Sequence, residues 1–259
     1  MQPFLEIKDI CLSYRSLAGE TEVLSHISFS VSPSEFVAIV GPSGCGKSTL
    51  LNLISGLLQP DRGEILIHGQ PISEHSANVG YMLQKDQLLE WRTIYQNTIL
   101  GLEIRHQLTP SKIEKTKQLL TQYGLSAFRN ARPSQLSGGM RQRAALIRTL
   151  VLEPDLLLLD EPFSALDYQT RLQVGDDIGQ ILRKESKPAI LVTHDIAEAI
   201  SMADKVLILT KRPSSVQKIV PIHLDISDRT PLSSRNAPNF KYYFNLIWKE
   251  LNQNGTPVQ

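Results

Sequence analysis

Residues 37–40, Val-Ala-Ile-Val, form a short apolar run that ends in Gly41-Pro42-Ser43-Gly44-Cys45-Gly46-Lys47-Ser48-Thr49. Beyond it, leucine and isoleucine recur at helical spacing. A run with no polar position has no solvent face, so it reads as a strand covered on both sides. Such strands belong to parallel sheets whose crossovers are helices, which places the chain in the α/β class. The glycines of 41–46 allow a tight turn in which successive backbone N–H groups converge on one anion. The N-terminus of the following helix adds a favourable dipole. The spacing Gly41-x4-Gly46-Lys47-Ser48 arises by chance in about one chain of this length in a hundred. Between a strand and a helix it reads as a phosphate-binding P-loop. Lys47 then reaches the β- and γ-phosphates of a nucleotide, and the Ser48 hydroxyl is placed for Mg²⁺. Cys45 reads as a bystander that supplies a backbone N–H.

A second apolar run, Leu156-Leu157-Leu158-Leu159, ends in Asp160 and Glu161. A carboxylate at the end of such a strand is placed for Mg²⁺, and a second one past the strand for polarising an attacking water. Acidic pairs are also common in turns, here before Pro162, so the pair gains its meaning from the P-loop. His194 follows the run 190–193 in the same way and is a candidate for contact with a γ-phosphate. A lone histidine after a strand is as often structural.

Around these motifs the alternation predicts strands at 4–10, 23–31 and 35–40, with a loop at 16–22. A helix is expected over 48–58 and strands over 64–68 and 78–83. Residues 85–153 carry helical periodicity, as at 111–123 and 142–152, and read as a mostly helical insertion. Strands return at 156–159 and 189–192, with a helix between them at 168–185. Further strands are expected at 205–209 and 217–223, a linker at 225–238 with two prolines, and a final amphipathic helix at 240–251.

The bulk properties exclude several classes. A net charge of +1 over 259 residues gives no electrostatic basis for nucleic-acid binding. Two distant cysteines, Cys11 and Cys45, fit a reducing compartment rather than a disulfide framework. The first residues lack the basic and apolar regions of a signal peptide. No run of about 18 apolar residues offers a membrane span.

With Leu136-Ser137-Gly138-Gly139-Met140-Arg141-Gln142-Arg143 added, the chain resembles an ATP-binding-cassette (ABC) ATPase over nearly its whole length. The resemblance implies a P-loop NTPase (RecA-like) core with an N-terminal antiparallel β subdomain and an inserted α-helical subdomain. It implies an ATPase domain over 1–236, with core and β subdomain at about 1–84 and 154–224, a helical subdomain at about 85–153, and a C-terminal helix and tail at 237–259. Ser137, Gly138 and Gly139 match the signature motif, which in that family binds the γ-phosphate held by a partner subunit. Small residues opening a helix leave N–H groups free for an anion. Gln84 matches the glutamine that senses Mg²⁺ and the attacking water. Ser164-Ala165-Leu166-Asp167 matches the D-loop, which crosses between subunits. His194 matches the switch histidine, and Tyr14 the aromatic that stacks on adenine. By this reading ATP and Mg²⁺ are the cofactors. Gly41 to Thr49, Tyr14, Ser137, Gly138, Gly139 and Asp167 hold nucleotide. Ser48, Gln84 and Asp160 hold the metal, and Glu161, Gln84 and His194 serve catalysis.

A single cassette without a membrane domain is expected to be a transporter's separate ATPase subunit, at the cytoplasmic face of the membrane. The partners are then a second cassette, identical or paralogous, two permease subunits and an extracytoplasmic solute-binding protein, with no nucleic acid. The alternatives are a soluble cassette acting on nucleic acid or ribosomes, an exporter's ATPase subunit, and a regulator without turnover. Fewer than 100 compact residues separate P-loop and signature, against the coiled coil of soluble relatives. Glu161 and His194 oppose the regulator. Leu88, Leu89 and Trp91 read either as an exposed groove for a permease helix or, for Trp91, as core of the insertion. This segment and 209–213 are similar to the importer subfamily for nitrate, sulfonates, taurine and thiamine-precursor pyrimidines.

Overall fold

The apolar runs 37–40, 156–159 and 189–192 are all buried strands. The computed structural model describes residues 2–17, 19–72, 78–164, 166–185, 187–227 and 229–253. Ala165, within the expected D-loop, lies outside them. In chain order the first half holds β1 (Leu5–Ser16), β2 (Gly19–Val31), β3 (Phe36–Val40), α1 (Lys47–Ile54), β4 (Arg62–Ile67), β5 (Gln70–Pro71), β6 (Val79–Met82), α2 (Ile94–Thr98), α3 (Leu100–Ile104) and α4 (Pro110–Gln122). There follow α5 (Gly138–Leu150), β7 (Leu156–Asp160), α6 (Tyr168–Glu185), β8 (Ala189–Val192), α7 (Ile196–Met202), β9 (Lys205–Leu209), β10 (Val216–Pro221), α8 (Pro231–Ser234) and α9 (Phe240–Gln253). The chain divides into two compact units, Met1–Ala77 with Gly179–Gln259, and Asn78–Ile178.

The first unit contains two sheets. One is antiparallel in the order β2-β1-β4-β5, and in the other β10, β9, β3 and β8 lie side by side. β3 is parallel to both neighbours, with Ile39 opposite Val192 on β8 and opposite Leu207 on β9. Val37, Ala38 and Ile39 have no exposed surface, as the unbroken apolar run requires. The second unit pairs β6 and β7 in parallel, Met82 opposite Leu159. The other regular elements of that unit are α-helices and two short 3₁₀ turns, Ser126–Phe128 and Pro133–Gln135. Among the described residues no helix is long and apolar enough to cross a membrane.

Three expectations change. Ser16 and residues 19–22, expected in a loop, are strand: β1 and β2 continue as a hairpin with Tyr14 opposite Thr21 and Arg15 opposite Glu20, and Ala18 lies outside the described residues. Both faces of that hairpin end are exposed, so its polar composition imitates a loop. The helix expected over 48–58 stops at Ile54, because Gly56 turns left-handed (φ +76°) and the Leu57 N–H closes back on the Asn52 carbonyl at 2.9 Å. The linker at 225–238 contains α8, opened by a Thr230 cap with Pro231 in its first turn. It is tied down by Arg229, which donates to Asp204 Oδ1 at 3.1 Å.

Candidate active site

Parallel strands place the residues that follow them along one sheet edge, where α/β folds bind ligands. In the first unit Ile39 stands opposite Val192, so the segments that hold Gly41 and His194 leave the sheet from the same end of their strands. The Thr193 N–H donates to the Ile39 carbonyl at 3.2 Å, which fixes that edge. The backbone around His194 is held on both sides. Asp195 caps α7 by accepting from the Ala197 and Glu198 N–H groups, and the Asp195 N–H donates to Thr193 Oγ1. The imidazole itself is exposed.

The loop at 41–46 is shaped by its glycines. Gly44 (φ +74°) and Gly46 (φ +104°) occupy the left-handed region that a side chain disfavours. A Cβ on Gly46 would lie 2.8 Å from Val23 Cγ1, so the loop rests directly on β2. No side chain caps the N-terminus of α1 and no acidic residue stands in its first turn, which leaves that end free for an anion. Lys47 is only 7 % exposed. Its Nζ donates to the carbonyls of Gly41 (2.9 Å) and Pro42 (3.0 Å), so the ammonium lies within the loop's own curve. Burial pushes the Cys45 thiol up in pKa, against the lowering effect of Lys47, which keeps it protonated near neutral pH. Tyr14 lies on β1, 45 % exposed, with its hydroxyl 3.4 Å from Thr49 Oγ1.

The second unit repeats the register argument. Met82 opposite Leu159 puts Gln84 opposite Glu161. Gln84 Nε2 donates to Glu161 Oε2 at 3.2 Å and to Ser164 Oγ at 3.3 Å. Ser164 in turn donates to the Glu161 carbonyl at 2.9 Å. Glu161 is left-handed (φ +44°), an unusual state for a residue with a side chain. Its main chain therefore leaves the strand at a sharp angle, with its carboxylate oriented by an amide. Asp160 is 8 % exposed and accepts a hydrogen bond from the Tyr81 hydroxyl. Burial, and then the Asp160 charge, push the Tyr81 phenol well above its ordinary range, so it stays a donor.

Ser137 caps α5, its side chain accepting from the Met140 N–H at 3.4 Å. A Cβ on Gly139 would meet Val174 Cγ2 at 2.8 Å, and one on Gly138 would meet Leu166 Cδ2 at 3.0 Å. The glycines thus also serve close packing, which a methyl would disturb at a cost of about 1–3 kcal/mol. Arg141 joins this helix to the segment after Gln84, its Nε 3.1 Å from Asp86 Oδ2. Arg148 adds donations to the Asp86 (2.6 Å) and Gln87 (2.7 Å) carbonyls. Asp167 caps α6 by accepting from the Thr170 N–H at 3.0 Å. Leu88, expected to be exposed, is buried, whereas Trp91 is 71 % exposed and so is not core.

The model of the family described as ABC transporter matches residues 24–164, more than half of the chain. The chain belongs to the ABC transporter ATP-binding family. It is 43% identical over 249 residues to the uncharacterized ABC transporter ATP-binding protein YtlC of Bacillus subtilis, covering 96% of each. It is 41% identical over 219 residues to the aliphatic sulfonates import ATP-binding protein SsuB of the same species, covering 85% of this chain and 83% of that one. Among solved structures it is similar to the dimeric post-hydrolysis structure of the ATP-binding cassette MJ0796 bound to ADP and Pi. The TM-score is 0.73 at 28% identity, covering 85% of this chain and 99% of that one. The chain is therefore an ABC ATPase, with the α/β fold of a P-loop cassette. The glycine-lined loop and open helix end fit a nucleotide's phosphates. Ser48 offers a hydroxyl oxygen in the first unit, and Gln84 and Asp160 an amide and a carboxylate oxygen in the second, each a hard donor of the kind Mg²⁺ takes. Sequence reasoning missed Tyr81, whose only signal is its place on the strand beside β7.

Proposed function

We propose that the cassette is the ATP-hydrolysing subunit of a bacterial-type importer for a small solute of the nitrate, sulfonate, taurine or pyrimidine kind. It acts from the cytoplasmic face of the membrane on two permease subunits fed by a solute-binding protein. The observation that carries this reading is the 41% identity to a sulfonate-import ATP-binding protein. The cassette domain spans 1–236, its helical part about 85–153, with 237–259 as helix and tail. Two cassettes close on ATP, because ATP drives closure only by binding the closed state better.

In each site the N–H groups of 41–49 and Lys47 hold the β- and γ-phosphates, and Tyr14 stacks on the adenine. Ser137, Gly138 and Gly139 of the second cassette cover the γ-phosphate, with Asp167 at the crossing between the two. Ser48, Gln84 and Asp160 would hold Mg²⁺, which when bound would neutralise charge developing on the phosphate oxygens. Glu161 takes a proton from the attacking water as the bond from the γ-phosphorus to the bridging oxygen breaks and ADP leaves. Gln84 orients the Glu161 carboxylate and the water, and His194 steadies the γ-phosphate. Reopening follows from repulsion between the separated phosphates. Trp91, with its ring in solvent, is the contact offered to a permease helix.

The test is to purify the cassette with the permeases of its own membrane, reconstitute them in vesicles, and measure ATP hydrolysis with each co-purifying solute-binding protein. Stimulation by a binding protein loaded with a small anion or pyrimidine is expected. Export of a solute, or hydrolysis indifferent to every binding protein, would overturn the importer reading.

A further inference from the structure

Arg212 lies in the turn between β9 and β10, and its Nη2 donates to the Gly44 carbonyl at 2.8 Å. The Gly44–Cys45 peptide unit is thereby held at both ends, since the Cys45 N–H donates to the Pro42 carbonyl at 3.3 Å. Gly44 and Gly46, both at positive φ, flank Cys45 as free pivots. A loop with pivots on both sides of its central residue has a conformational freedom that anion binding must remove.

The turn that carries Arg212 is anchored to the strand beneath the loop. The Ser214 N–H donates to the Val23 carbonyl at 2.9 Å, and the Ser214 carbonyl accepts from the Ser25 N–H at 2.8 Å. Thr210 Oγ1 closes the turn by accepting from the Ser215 N–H at 2.9 Å. The loop lies close on this platform: a Cβ on Gly41 would be 3.1 Å from Leu209 Cβ. Among the described residues no carboxylate pairs with Arg212, whose recorded acceptor is the Gly44 carbonyl. A guanidinium that spends its hydrogen bond on a neutral carbonyl leaves its charge unneutralised beside the phosphate cradle.

We propose that Arg212 is a positioning residue for nucleotide binding. It fixes the rotation of the peptide at the centre of the P-loop, so the loop's N–H groups are set before the phosphates arrive. Its unpaired charge adds to the attraction for them. This rests on the reading of 41–49 as the phosphate cradle. The effect is on binding that persists unchanged into the transition state, so it shows in KM and leaves kcat.

The test compares Arg212→Ala, Arg212→Lys and Lys47→Ala in the full chain, by steady-state ATP hydrolysis and by titration with a fluorescent ATP analogue. Arg212→Ala is expected to raise KM and the analogue's Kd about three- to tenfold with kcat within about twofold. Arg212→Lys keeps a charged donor and is expected to recover most of that loss. A fall in kcat and melting temperature with KM unmoved is what a merely structural role gives, and it would overturn the proposal. Equal impairment in the alanine and lysine variants would do the same. Lys47→Ala separates the two readings. If it binds the analogue like the parent chain, the cradle reading itself fails. If it loses binding while Arg212→Ala is silent, the cradle stands and only the clamp is lost.

Discussion

Glu161 and Asp160 are neighbours in sequence with different surroundings. Glu161 turns out of the strand at φ +44° and meets Gln84, whereas Asp160 stays buried and meets the Tyr81 phenol. The roles proposed for them, base and metal ligand, differ as those surroundings do. The pair stands out in the sequence because an apolar run ending in two acids is a local pattern. Tyr81 was not legible, since nothing in Val79–Met82 marks which residue reaches across to β7. Its proposed task is to hold the Asp160 carboxylate in place, as outer partners of metal ligands do. Tyr81→Phe is therefore expected to need about tenfold more Mg²⁺ for half-maximal hydrolysis, with the maximal rate little changed. ATPase activity titrated with Mg²⁺ at fixed ATP measures this, and an unshifted midpoint would remove Tyr81 from the site.

Elements explain why the motifs meet. Two pairs of parallel strands, β3 with β8 and β6 with β7, hold Ile39 opposite Val192 and Met82 opposite Leu159. The second register leads into the Gln84–Glu161 hydrogen bond, and neither register is visible in the sequence alone. What sequence did carry was the type of each long element, because buried runs and helical periodicity are local. It failed at 16–22, where an exposed hairpin has the composition of a loop, and at 225–238, where tertiary contacts order a proline-containing stretch. Asp167 shows a motif residue with an element-scale duty. Hydrogen bonds from Thr170, side chain first and then backbone, hold its carboxyl below the usual carboxylate range. A lowered folded pKa means the cap's contribution is complete above the unfolded value of about 3.9 and is lost as pH falls through the folded one. Protection of the amides at the start of α6, measured as exchange relative to the intrinsic rate at each pH, should therefore fall below about pH 4 in the parent chain. Asp167→Asn keeps an acceptor without the titration, so its exchange should show no such step, and Asp167→Ala should exchange fast at every pH.

At the scale of the molecule, a cassette with a P-loop in one compact unit and a signature helix in the other is proposed to complete its site with a second copy. The similar cassette with bound ADP and Pi is itself dimeric, which supports that reading. The family was legible because six motifs stand in order along one chain. The cargo was not, because no residue of an ATPase subunit is proposed to touch it. Everything proposed about transport depends on ATP acting as the bond between two cassettes. Analytical ultracentrifugation of the Glu161→Gln chain tests this most directly. With ATP and Mg²⁺ the variant should hydrolyse about 100-fold or more slowly and sediment as a dimer with one ATP per chain. Without ATP, or with Ser137→Arg added, it should sediment as a monomer, the latter still holding ATP. An ATP-bound monomer in Glu161→Gln, or a dimer that forms without nucleotide and survives Ser137→Arg, would contradict the shared site.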